Sequence, residues 1–351
     1  MLLAICIPTH HGRAALLARA LDSLAAGVSG DERVEVCVSD NASTDETAQV
    51  VADFAERVGR DRVRYRRHDL DRGVTANMLS VIEMAEAQWC WFLGSDDIVA
   101  PGAVEEVVAL VQRHPAAAGA TLNRSLVDRR YPSVVHHDRP ELLPAEPGRE
   151  RELHGVECVL AELGQLHDFI STQVLDRQVW LEAVRDAGEV GLARGGHYPH
   201  LVLITLMIRR RPIWVWYPRE LVEQRIGVSA MFDDEWTFDV AGYEVTLLEG
   251  RADVWEYLFG RRSTVYRALM RKVWWRQFSL GVLLNMKLSS GFGPSGDLRF
   301  LRTLPRYFWW LPEFWATSPA LLAPGWLMRA LRPFARAGKE RWAGARQRYS
   351  Q

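Results

Sequence analysis

Two adjacent carboxylates end an apolar run in the stretch WFLGSDDIVAPGA, residues 91–103. Asp96 and Asp97 follow five apolar or small residues and stand just before Pro101 and Gly102. Carboxylate oxygens are the ligands that Mg²⁺ and Mn²⁺ prefer, and these ions often share their coordination shell with substrate phosphates. The pair therefore indicates a divalent-metal site. In isolation it also fits a simpler role, with Asp97 capping a short helix that starts near Pro101.

Polar side chains follow three other strand-like runs in the same way. They are Thr9, His10 and His11 at the end of LLAICIPT, Asp40 and Asn41 at the end of VEVCVSD, and His68 to Gly73 at the end of RVRYRRH. The acidic side chains of Asp40, Asp96 and Asp97 on one rim would repel one another unless a cation or a donor-rich ligand lay among them. If these runs form one sheet, their polar ends define a binding site.

The apolar patterns alternate between strand and helix over the first hundred residues. We predict strands at 2–9, 34–40, 62–68 and 88–95, and helices at 14–27, 41–58 and 75–87. This alternation is typical of an α/β fold with a parallel sheet and right-handed crossovers. Ligands of such sheets bind beyond the carboxyl ends of the strands. Further along, the Pro-rich and charged residues 131–150 are expected to form a long loop.

Composition excludes several classes of protein. With 351 residues, 48% of them hydrophobic and 25% charged, the chain is globular and long enough for two domains. No GxGxxG follows the first strand, and neither GxxxxGK[ST] nor GxSxG occurs. These absences disfavour a Rossmann dehydrogenase, a P-loop NTPase and an α/β-hydrolase.

Cysteine usage and hydropathy favour a cytoplasmic protein. The four cysteines are widely spaced without a CxxC pair, so we expect buried reduced thiols rather than disulfides or a metal site. The N-terminal apolar stretch is too short for a signal peptide. No apolar run approaches the ~18 residues of a membrane span.

Four motifs carry a resemblance to a known family. ICIPTHHGRAALLARALDSL, VEVCVSDNASTDET, DRGVTANM and WFLGSDDIVAPGAVEEV occur in this order. Together they resemble the nucleotide-sugar domain of family 2 glycosyltransferases with the GT-A fold, and within it the abequosyltransferase-type branch of surface polysaccharide assembly. The resemblance implies a GT-A domain over residues 1–225, a mostly parallel sheet flanked by helices. Residues 226–351 would form a largely helical appendage.

The resemblance also implies roles for residues near the first two strands. Pro8, Thr9 and His11 would border the nucleotide, and Asp40 would accept a hydrogen bond from the base. The family usually has Tyr-Asn where this chain has His10-His11. Both the aromatic contact and the amide are therefore altered, which leaves the base preference open.

The third motif supplies candidates for the diphosphate and the sugar. Arg72 would reach the diphosphate, or else is a solvated surface arginine. Gly73 would allow a close backbone approach, and Asn77 would donate to the sugar or fix the loop. We expect Asn41 and Asp45 to cap and brace the following helix rather than touch the ligand.

The family's metal motif is Asp-x-Asp or a close variant, and here the triplet reads Ser95-Asp96-Asp97. We assign Asp97 to a bound Mn²⁺ or Mg²⁺, and Asp96 to the ribose or to the water shell of the metal. A divalent ion bridging the phosphates would stabilise charge on the leaving nucleoside diphosphate.

The acceptor hydroxyl needs a base, which in family 2 enzymes is usually a carboxylate in the second half of the domain. That region reads ARGGHYPHLVLITLMI, and histidine titrates near neutrality. We rank His200 first, His197 second and Asp168 as the carboxylate alternative. His200 could instead be only a hydrogen-bond partner at a helix start.

The last hundred residues are basic and aromatic. Residues 251–351 hold 18 Lys and Arg against 5 Asp and Glu, and 8 of the 14 tryptophans, whereas the whole chain has a formal net charge of −1. Interleaved arginine and tryptophan favour contact with an anionic membrane surface. Packing on the catalytic domain or on a second subunit of a homo-oligomer is the alternative. No zinc finger, RNP or helix-turn-helix pattern supports nucleic acid as a partner.

Together with these patterns, the resemblance implies a metal-dependent, inverting glycosyltransferase. It would move a sugar from a nucleoside-diphosphate sugar to a hydroxyl of a glycan or polyprenyl-linked acceptor, in the cytoplasm or peripherally on the cytoplasmic membrane face. A non-catalytic nucleotide-sugar-binding or scaffold protein is the alternative from another class. A nucleotidyltransferase would need a glycine- and lysine-rich phosphate loop near the first strand, and PTHHGRAALL is a poor version.

Overall fold

The computed structural model describes residues 1–128, 131–137, 149–196, 198–226, 240–287 and 293–322. The chain divides into two compact units, Met1–Phe232 and Asp233–Gln351. The boundary expected near residue 225 stays a prediction, because residues 227–239 lie outside the described part.

The first unit alternates strands and helices along the chain. Its strands are β1 (Leu3–His10), β2 (Val34–Asn41), β3 (Val63–Arg67), β4 (Trp89–Phe92), β5 (Ile98–Val99), β6 (Gly119–Asp128), β7 (Tyr131–His137), β8 (Arg151–His154), β9 (Gln173–Asp176) and β10 (Ile213–Ile226). Its helices are α1 (Ala14–Gly30), α2 (Thr47–Val58), α3 (Gly73–Met84), α4 (Ala103–Arg113), α5 (Val156–Leu163), α6 (Arg177–Arg194) and α7 (Pro199–Arg210), with 3₁₀ turns at Arg60–Arg62 and Ile170–Thr172.

Ten strands form one mixed sheet. Its main path runs β3-β2-β1-β4-β9-β6-β10-β5, with β7 beside β6 and β8 beside β10. The four strands predicted from the sequence are mutually parallel, which confirms the α/β class. Next to them β9 is antiparallel to both β4 and β6, so the second half of the sheet is mixed. The carboxyl ends of β1, β2, β3 and β4 consequently lie at one edge.

Apolar residues with helix and strand periodicity form the core of this half. Helix α1 buries Leu17, Leu21, Leu24 and Val28, a stripe with helical spacing that packs in the main core. Strands β1 and β2 are buried along nearly their whole length, as expected when helices cover both faces of a parallel sheet.

The cysteines are free thiols, as expected, but they are not all buried. Cys6, Cys37 and Cys90 are buried in β1, β2 and β4, whereas Cys158 on α5 is exposed. Burial raises the pKa of the Cys6 thiol, so this group is a packed, unreactive side chain.

The long loop expected over residues 131–150 is wrong in its first part. Strand β7 occupies Tyr131–His137 and pairs antiparallel with β6. The neighbouring strand supplies the backbone hydrogen bonds, and the valines of YPSVVHH suit an extended chain. Prolines in the rest of the stretch obscured this short strand in the sequence.

Every secondary-structure element described in the second unit is a helix, which confirms the predicted helical C-terminal region. Its helices are α8 (Val240–Phe259), α9 (Thr264–Val273), α10 (Leu280–Lys287), α11 (Gly293–Phe308), α12 (Pro312–Thr317) and α13 (Pro319–Leu322), with a π-helical turn at Trp274–Phe278. Across the part of the chain that the structure describes, no helix is long and apolar enough to cross a bilayer.

Candidate functional site

Sheet register brings the polar strand ends together. Thr9 pairs with Asp40 across β1 and β2, and Asp40 pairs with Arg67 across β2 and β3. Cys6 pairs with Phe92, so β4 ends on the same side. The residues that follow these four strands therefore share one rim, as the sequence predicts.

Residues 9–13, called the β1 turn, lie at the centre of this rim. Three hydrogen bonds join the β1 turn to the segments that follow β2, β3 and β4. They are Gly12 N to Asp45 Oδ2 at 2.8 Å, Asn77 Nδ2 to Thr9 O at 2.9 Å, and Arg13 Nη1 to Asp96 Oδ2 at 2.7 Å. Segments that are distant in the sequence are thus fixed against one short turn.

The Arg13–Asp96 ion pair connects the start of α1 to the end of β4. Arg13 is only 7% exposed, and the side chain of Asp96 is 22% exposed. Because the pair is shielded from water, the loss of either partner would leave a poorly solvated charge. Sequence reasoning missed Arg13, although it is the only Lys or Arg of the PTHHGRAALL motif.

The side chain of Asp97 is buried close to Gly94. Its Oδ2 accepts a hydrogen bond from Ser171 Oγ at 2.5 Å, and Ser171 Oγ in turn accepts one from Gly94 N at 2.8 Å. A Cβ on Gly94 would lie 2.9 Å from Asp97 Oδ2 and 3.1 Å from Asp96 Oδ1. Both carboxylates therefore face one point, which any larger residue would crowd. Ser171 is a site residue that the sequence did not reveal.

These two carboxylates fit a divalent cation whose other ligands are phosphate and water. Within the described ranges no group of three His, Cys, Asp or Glu side chains could hold a metal ion. Mg²⁺ is commonly bound through one or two carboxylates together with substrate phosphates, so a full protein cage is not required. Asp96 and Asp97 would supply the oxygen donors for this mode of binding.

Asp40 is fully buried and held by three donors. Oδ1 accepts from Ser43 N and from Ser43 Oγ, and Oδ2 accepts from Tyr65 Oη at 2.6 Å. Burial and the adjacent Asp40 carboxylate raise the pKa of Tyr65 well above its usual range, so the phenol remains a donor. A carboxylate can accept about four hydrogen bonds. The predicted contact would therefore add a fourth hydrogen bond, donated by the base. The carboxylate of Asp40 that accepts it is already oriented by the other three.

Asn77 and Thr9 lie next to Asp40 on the same rim. Asn77 is buried, donates to Thr9 O and accepts from Ser39 Oγ at 2.6 Å. This is the loop-fixing geometry that the sequence left as an alternative to sugar binding. Thr9 Oγ1 is buried and has no hydrogen-bond partner within the described residues. An unpaired hydroxyl is costly, which fits the predicted place of Thr9 beside the nucleotide.

The connection from β3 to α3 is organised by Asn41. Its Nδ2 donates to Asp71 Oδ1 at 2.5 Å, and its Oδ1 accepts from Arg72 N at 2.9 Å. Asp71 Oδ1 also accepts from Gly73 N, and these two bonds lower the pKa of Asp71. Gly73 has φ +76°, a conformation that glycine adopts without strain. The Arg72 side chain is exposed beside this turn.

Asn41 therefore does not brace α2, contrary to expectation, whereas Asp45 does. Asp45 Oδ1 accepts from Thr47 N and Thr47 Oγ1 at the start of α2. Pro8 is half-buried in β1. His11 is exposed, and its Nδ1 lies 3.2 Å from Thr44 Oγ1.

His200 lies in the first turn of α7 and is 7% exposed. Its Nε2 is 3.0 Å from Asp168 O, and because a carbonyl only accepts, Nε2 carries the proton. Burial lowers the pKa of His200, although the bond to Asp168 opposes the shift. The ring is therefore neutral at pH 7, with Nδ1 as its basic atom. His197 lies outside the described residues.

His167, beside Asp168, is a buried histidine to which the sequence drew no attention. It is 1% exposed, and its ring centre lies 5.2 Å from that of Trp214. Burial lowers the pKa of His167 to about 3. His167 is thus a neutral core residue at the base of the segment that carries Asp168.

The sequence model of glycosyl transferase family 2 matches residues 4–183, just over half of the chain. The chain belongs to glycosyl transferase family 2. The match covers the four parallel strands and the rim, and it extends to β9 and the start of α6. The predicted family and its glycosyltransferase class are thereby confirmed.

Individual relatives support the same family. Abequosyltransferase RfbV of Salmonella typhimurium strain LT2 is 28% identical over 217 residues, 58% of this chain and 60% of its own length. This match agrees with the predicted abequosyltransferase-type branch. Validoxylamine A glucosyltransferase of Streptomyces hygroscopicus subsp. jinggangensis is 34% identical over 152 residues, 43% of this chain and 35% of its own length. The chain thus covers less than two thirds of either relative.

A solved structure confirms the GT-A type of fold. Crystalline S. aureus TarS superposes with a TM-score of 0.56 at 14% identity, over 97% of this chain and 53% of TarS. At this identity the likeness concerns the fold alone.

Replacing Arg13 with alanine should lower the free energy of unfolding by about 2 to 4 kcal/mol, because Asp96 would keep a poorly solvated charge without its partner. The matched control is Arg19→Ala on the exposed face of α1, expected within about 0.5 kcal/mol of wild type. Urea unfolding measures both. Adding Asp96→Asn to Arg13→Ala should restore part of the loss. Equal free energies of unfolding for Arg13→Ala and Arg19→Ala would contradict the role of the ion pair.

His167 should make the protein sensitive to acid. Its pKa is about 3 in the folded protein against an ordinary 6.5, so the unfolded chain binds more protons between these values. The contribution of the neutral His167 ring to the free energy of unfolding is complete above about pH 6.5. It is lost as the pH falls toward 3. Between pH 7 and pH 5 the free energy of unfolding should fall by about 2 kcal/mol more in wild type than in His167→Gln.

The control for His167 is His154→Gln, which changes a histidine whose side chain is 63% exposed. Its pH dependence should parallel that of wild type in urea unfolding at both pH values. An unchanged slope in His167→Gln would show that the buried ring does not resist protonation.

Proposed function

We propose that the protein transfers a glycosyl group from a nucleoside-diphosphate sugar to a hydroxyl of a glycan or lipid-linked acceptor. The observation that carries this proposal is the β1 turn, whose three hydrogen bonds gather the ends of four parallel strands onto one rim. Membership of glycosyl transferase family 2 gives the reaction class.

The rim suits a nucleoside diphosphate. Thr9 offers a buried hydroxyl without a partner within the described residues, and Asp40 presents an oriented carboxylate for the base. Pro8, His11, Gly73 and Asn77 complete the proposed lining. Arg72, exposed at the β3–α3 turn, is proposed to contact the diphosphate.

Asp97 and Asp96 are proposed to hold Mn²⁺ or Mg²⁺. When bound, such an ion stabilises negative charge on the diphosphate leaving group. Arg13 fixes one oxygen of Asp96, while Asp96 Oδ1 and Asp97 Oδ2 face the point at Gly94. The chain thereby orients both carboxylates before any ligand arrives.

His200 is proposed as the base that removes the proton of the acceptor hydroxyl. Its ring is neutral, and the bond from Nε2 to Asp168 O leaves the lone pair on Nδ1. Direct attack by the acceptor would invert the anomeric centre, since the hydroxyl enters opposite the leaving diphosphate. Asp168 and His197 remain the alternatives for this role.

The acceptor proposed is a glycan or a polyprenyl-linked molecule of surface polysaccharide assembly, used in the cytoplasm or at the cytoplasmic membrane face. Support comes from the names of relatives that are an abequosyltransferase and a PGL/p-HBAD biosynthesis glycosyltransferase. The latter, from Mycobacterium bovis BCG, is 35% identical over 112 residues, 32% of this chain and 42% of its own length.

Nucleoside diphosphates should raise the melting temperature, and Mn²⁺ should increase the shift, because a ligand that binds only the native state stabilises it by about 2.7 kcal/mol at 100 times its Kd. Asp97→Asn should lose the part that depends on Mn²⁺. Asp22→Asn, at an exposed aspartate of α1, is the control and should keep it. A thermal-shift screen with nucleoside diphosphates and their sugars measures this. No shift with any of them, with or without Mn²⁺, would overturn the proposed function.

His200→Gln should lower kcat by about 10²- to 10⁴-fold, because glutamine can still donate to Asp168 O but cannot accept a proton. Donor binding by calorimetry should stay unchanged, which separates catalysis from folding. His154→Gln serves again as the exposed control. Near-normal turnover in His200→Gln would remove the assignment and leave Asp168→Asn as the next variant to measure.

A further inference from the structure

Three tryptophans of the second unit are largely exposed. Trp275, Trp309 and Trp315 are 55%, 60% and 58% exposed, whereas Trp255 and Trp274 are buried. Exposed large apolar side chains are ordinary when scattered, but a contiguous group marks an interaction surface. The question is whether these three side chains are close together.

Packing places the three tryptophans around one cluster. Each directly follows a buried aromatic residue, and of those buried residues Trp274 contacts both Phe308 and Phe314. The ring centre of Trp274 lies 5.1 Å from that of Phe308 and 5.5 Å from that of Phe314. In addition, Trp315 Nε1 donates to Trp309 O at 2.7 Å. The exposed rings therefore emerge around a single packed centre, and we call them the tryptophan patch.

Arginines of two helices lie next to residues that adjoin the patch in the sequence. On α9, Arg267 stacks 5.6 Å from the ring centre of Trp310, and Arg271 lies one turn further along, 3.7 Å from Glu313. The exposed arginines of α11 follow one another at the spacing of a single helix face. They are Arg299, Arg302 and Arg306. In all, the described residues of the second unit carry eleven Lys and Arg against six Asp and Glu.

This combination is suited to the surface of an anionic bilayer. Tryptophan rings bind at the level of the lipid headgroups, where the apolar part of the ring contacts the acyl chains and the indole N–H faces water. Arginine pairs with phosphate in a forked geometry, and each basic residue near an anionic leaflet strengthens binding by roughly fivefold. A second copy of this unit would bring an equally basic border, and like charges would oppose that contact.

We propose that the tryptophan patch and its arginine border bind the protein peripherally to an anionic phospholipid leaflet. This goes beyond the proposed glycosyl transfer, since it names the lipid class and the residues that contact it. The surface itself does not depend on the identity of the donor or acceptor.

The experiment is co-sedimentation of the full chain with vesicles of phosphatidylcholine alone, or of phosphatidylcholine with one third phosphatidylglycerol. We expect binding only to the anionic vesicles. Binding should weaken when NaCl rises from about 0.1 M to about 1 M, where the screening length falls from ~10 Å to ~3 Å.

Two sets of variants separate the contributions. Trp275→Ala, Trp309→Ala and Trp315→Ala together should weaken binding at least tenfold. Arg299→Gln, Arg302→Gln and Arg306→Gln together should remove most of the preference for anionic vesicles. The matched control replaces three exposed apolar residues of the first unit, Leu70, Val74 and Val190, with alanine, and it should bind as wild type does.

Equal recovery with neutral and anionic vesicles, or wild-type binding by the tryptophan variant, would overturn the inference. A dimer that forms without lipid and is abolished by the tryptophan substitutions would also overturn it, because the patch would then be the contact surface between two copies of the chain. Circular dichroism and the nucleotide thermal shift are measured on every variant. A variant that keeps its nucleotide response but loses vesicle binding shows that the two proposals stand or fall separately.

Discussion

The ion pair between Arg13 and Asp96 is the interaction on which the rim depends. Asp96 and Asp97 are adjacent, and two such carboxylates near one glycine would repel each other without a nearby positive charge. Arg13 provides that charge from the start of α1, where it is 7% exposed. Because the guanidinium is shielded from water, it holds its partner in place rather than exchanging among surface groups. The end of β4 is thereby fixed to the end of β1. The β1 turn also makes the hydrogen bonds to the segments that follow β2 and β3.

The rim is built before it meets a ligand. Asp40 is oriented by Ser43 and Tyr65, Asn77 spans β1 and β2, and Asp97 is held by Ser171. A polar group that already has its orientation loses little entropy on binding, so its interaction can serve affinity or the transition state. The hydrogen bonds that keep these residues in place also explain their burial. Their role as scaffold and their proposed role toward a nucleotide sugar are therefore compatible.

The sequence predicted the elements of the fold far better than the contacts between them. Local periodicity was enough for β1, β2 and α1, because apolar spacing is a property of neighbouring residues. The bond from Ser171 to Asp97 joins residues 74 positions apart, and the Arg13–Asp96 pair spans 83 positions. No local pattern contains such pairings. Strand β7 was missed for a related reason, since its extended form depends on hydrogen bonds to β6.

The aromatic C-terminal unit shows the same division between composition and arrangement. Its content of tryptophan and arginine was plain in the sequence, but which rings face solvent was not. That depends on which residue of each helical segment enters the cluster of Trp274, Phe308 and Phe314. The next residue along the chain then points about 100° away around the helix and lies at the edge of the cluster, as Trp315 does with its ring centre 4.9 Å from that of Phe314. The packing that stabilises the helices therefore also forces the following tryptophans outward, so one apolar core produces both the unit's stability and its exposed surface.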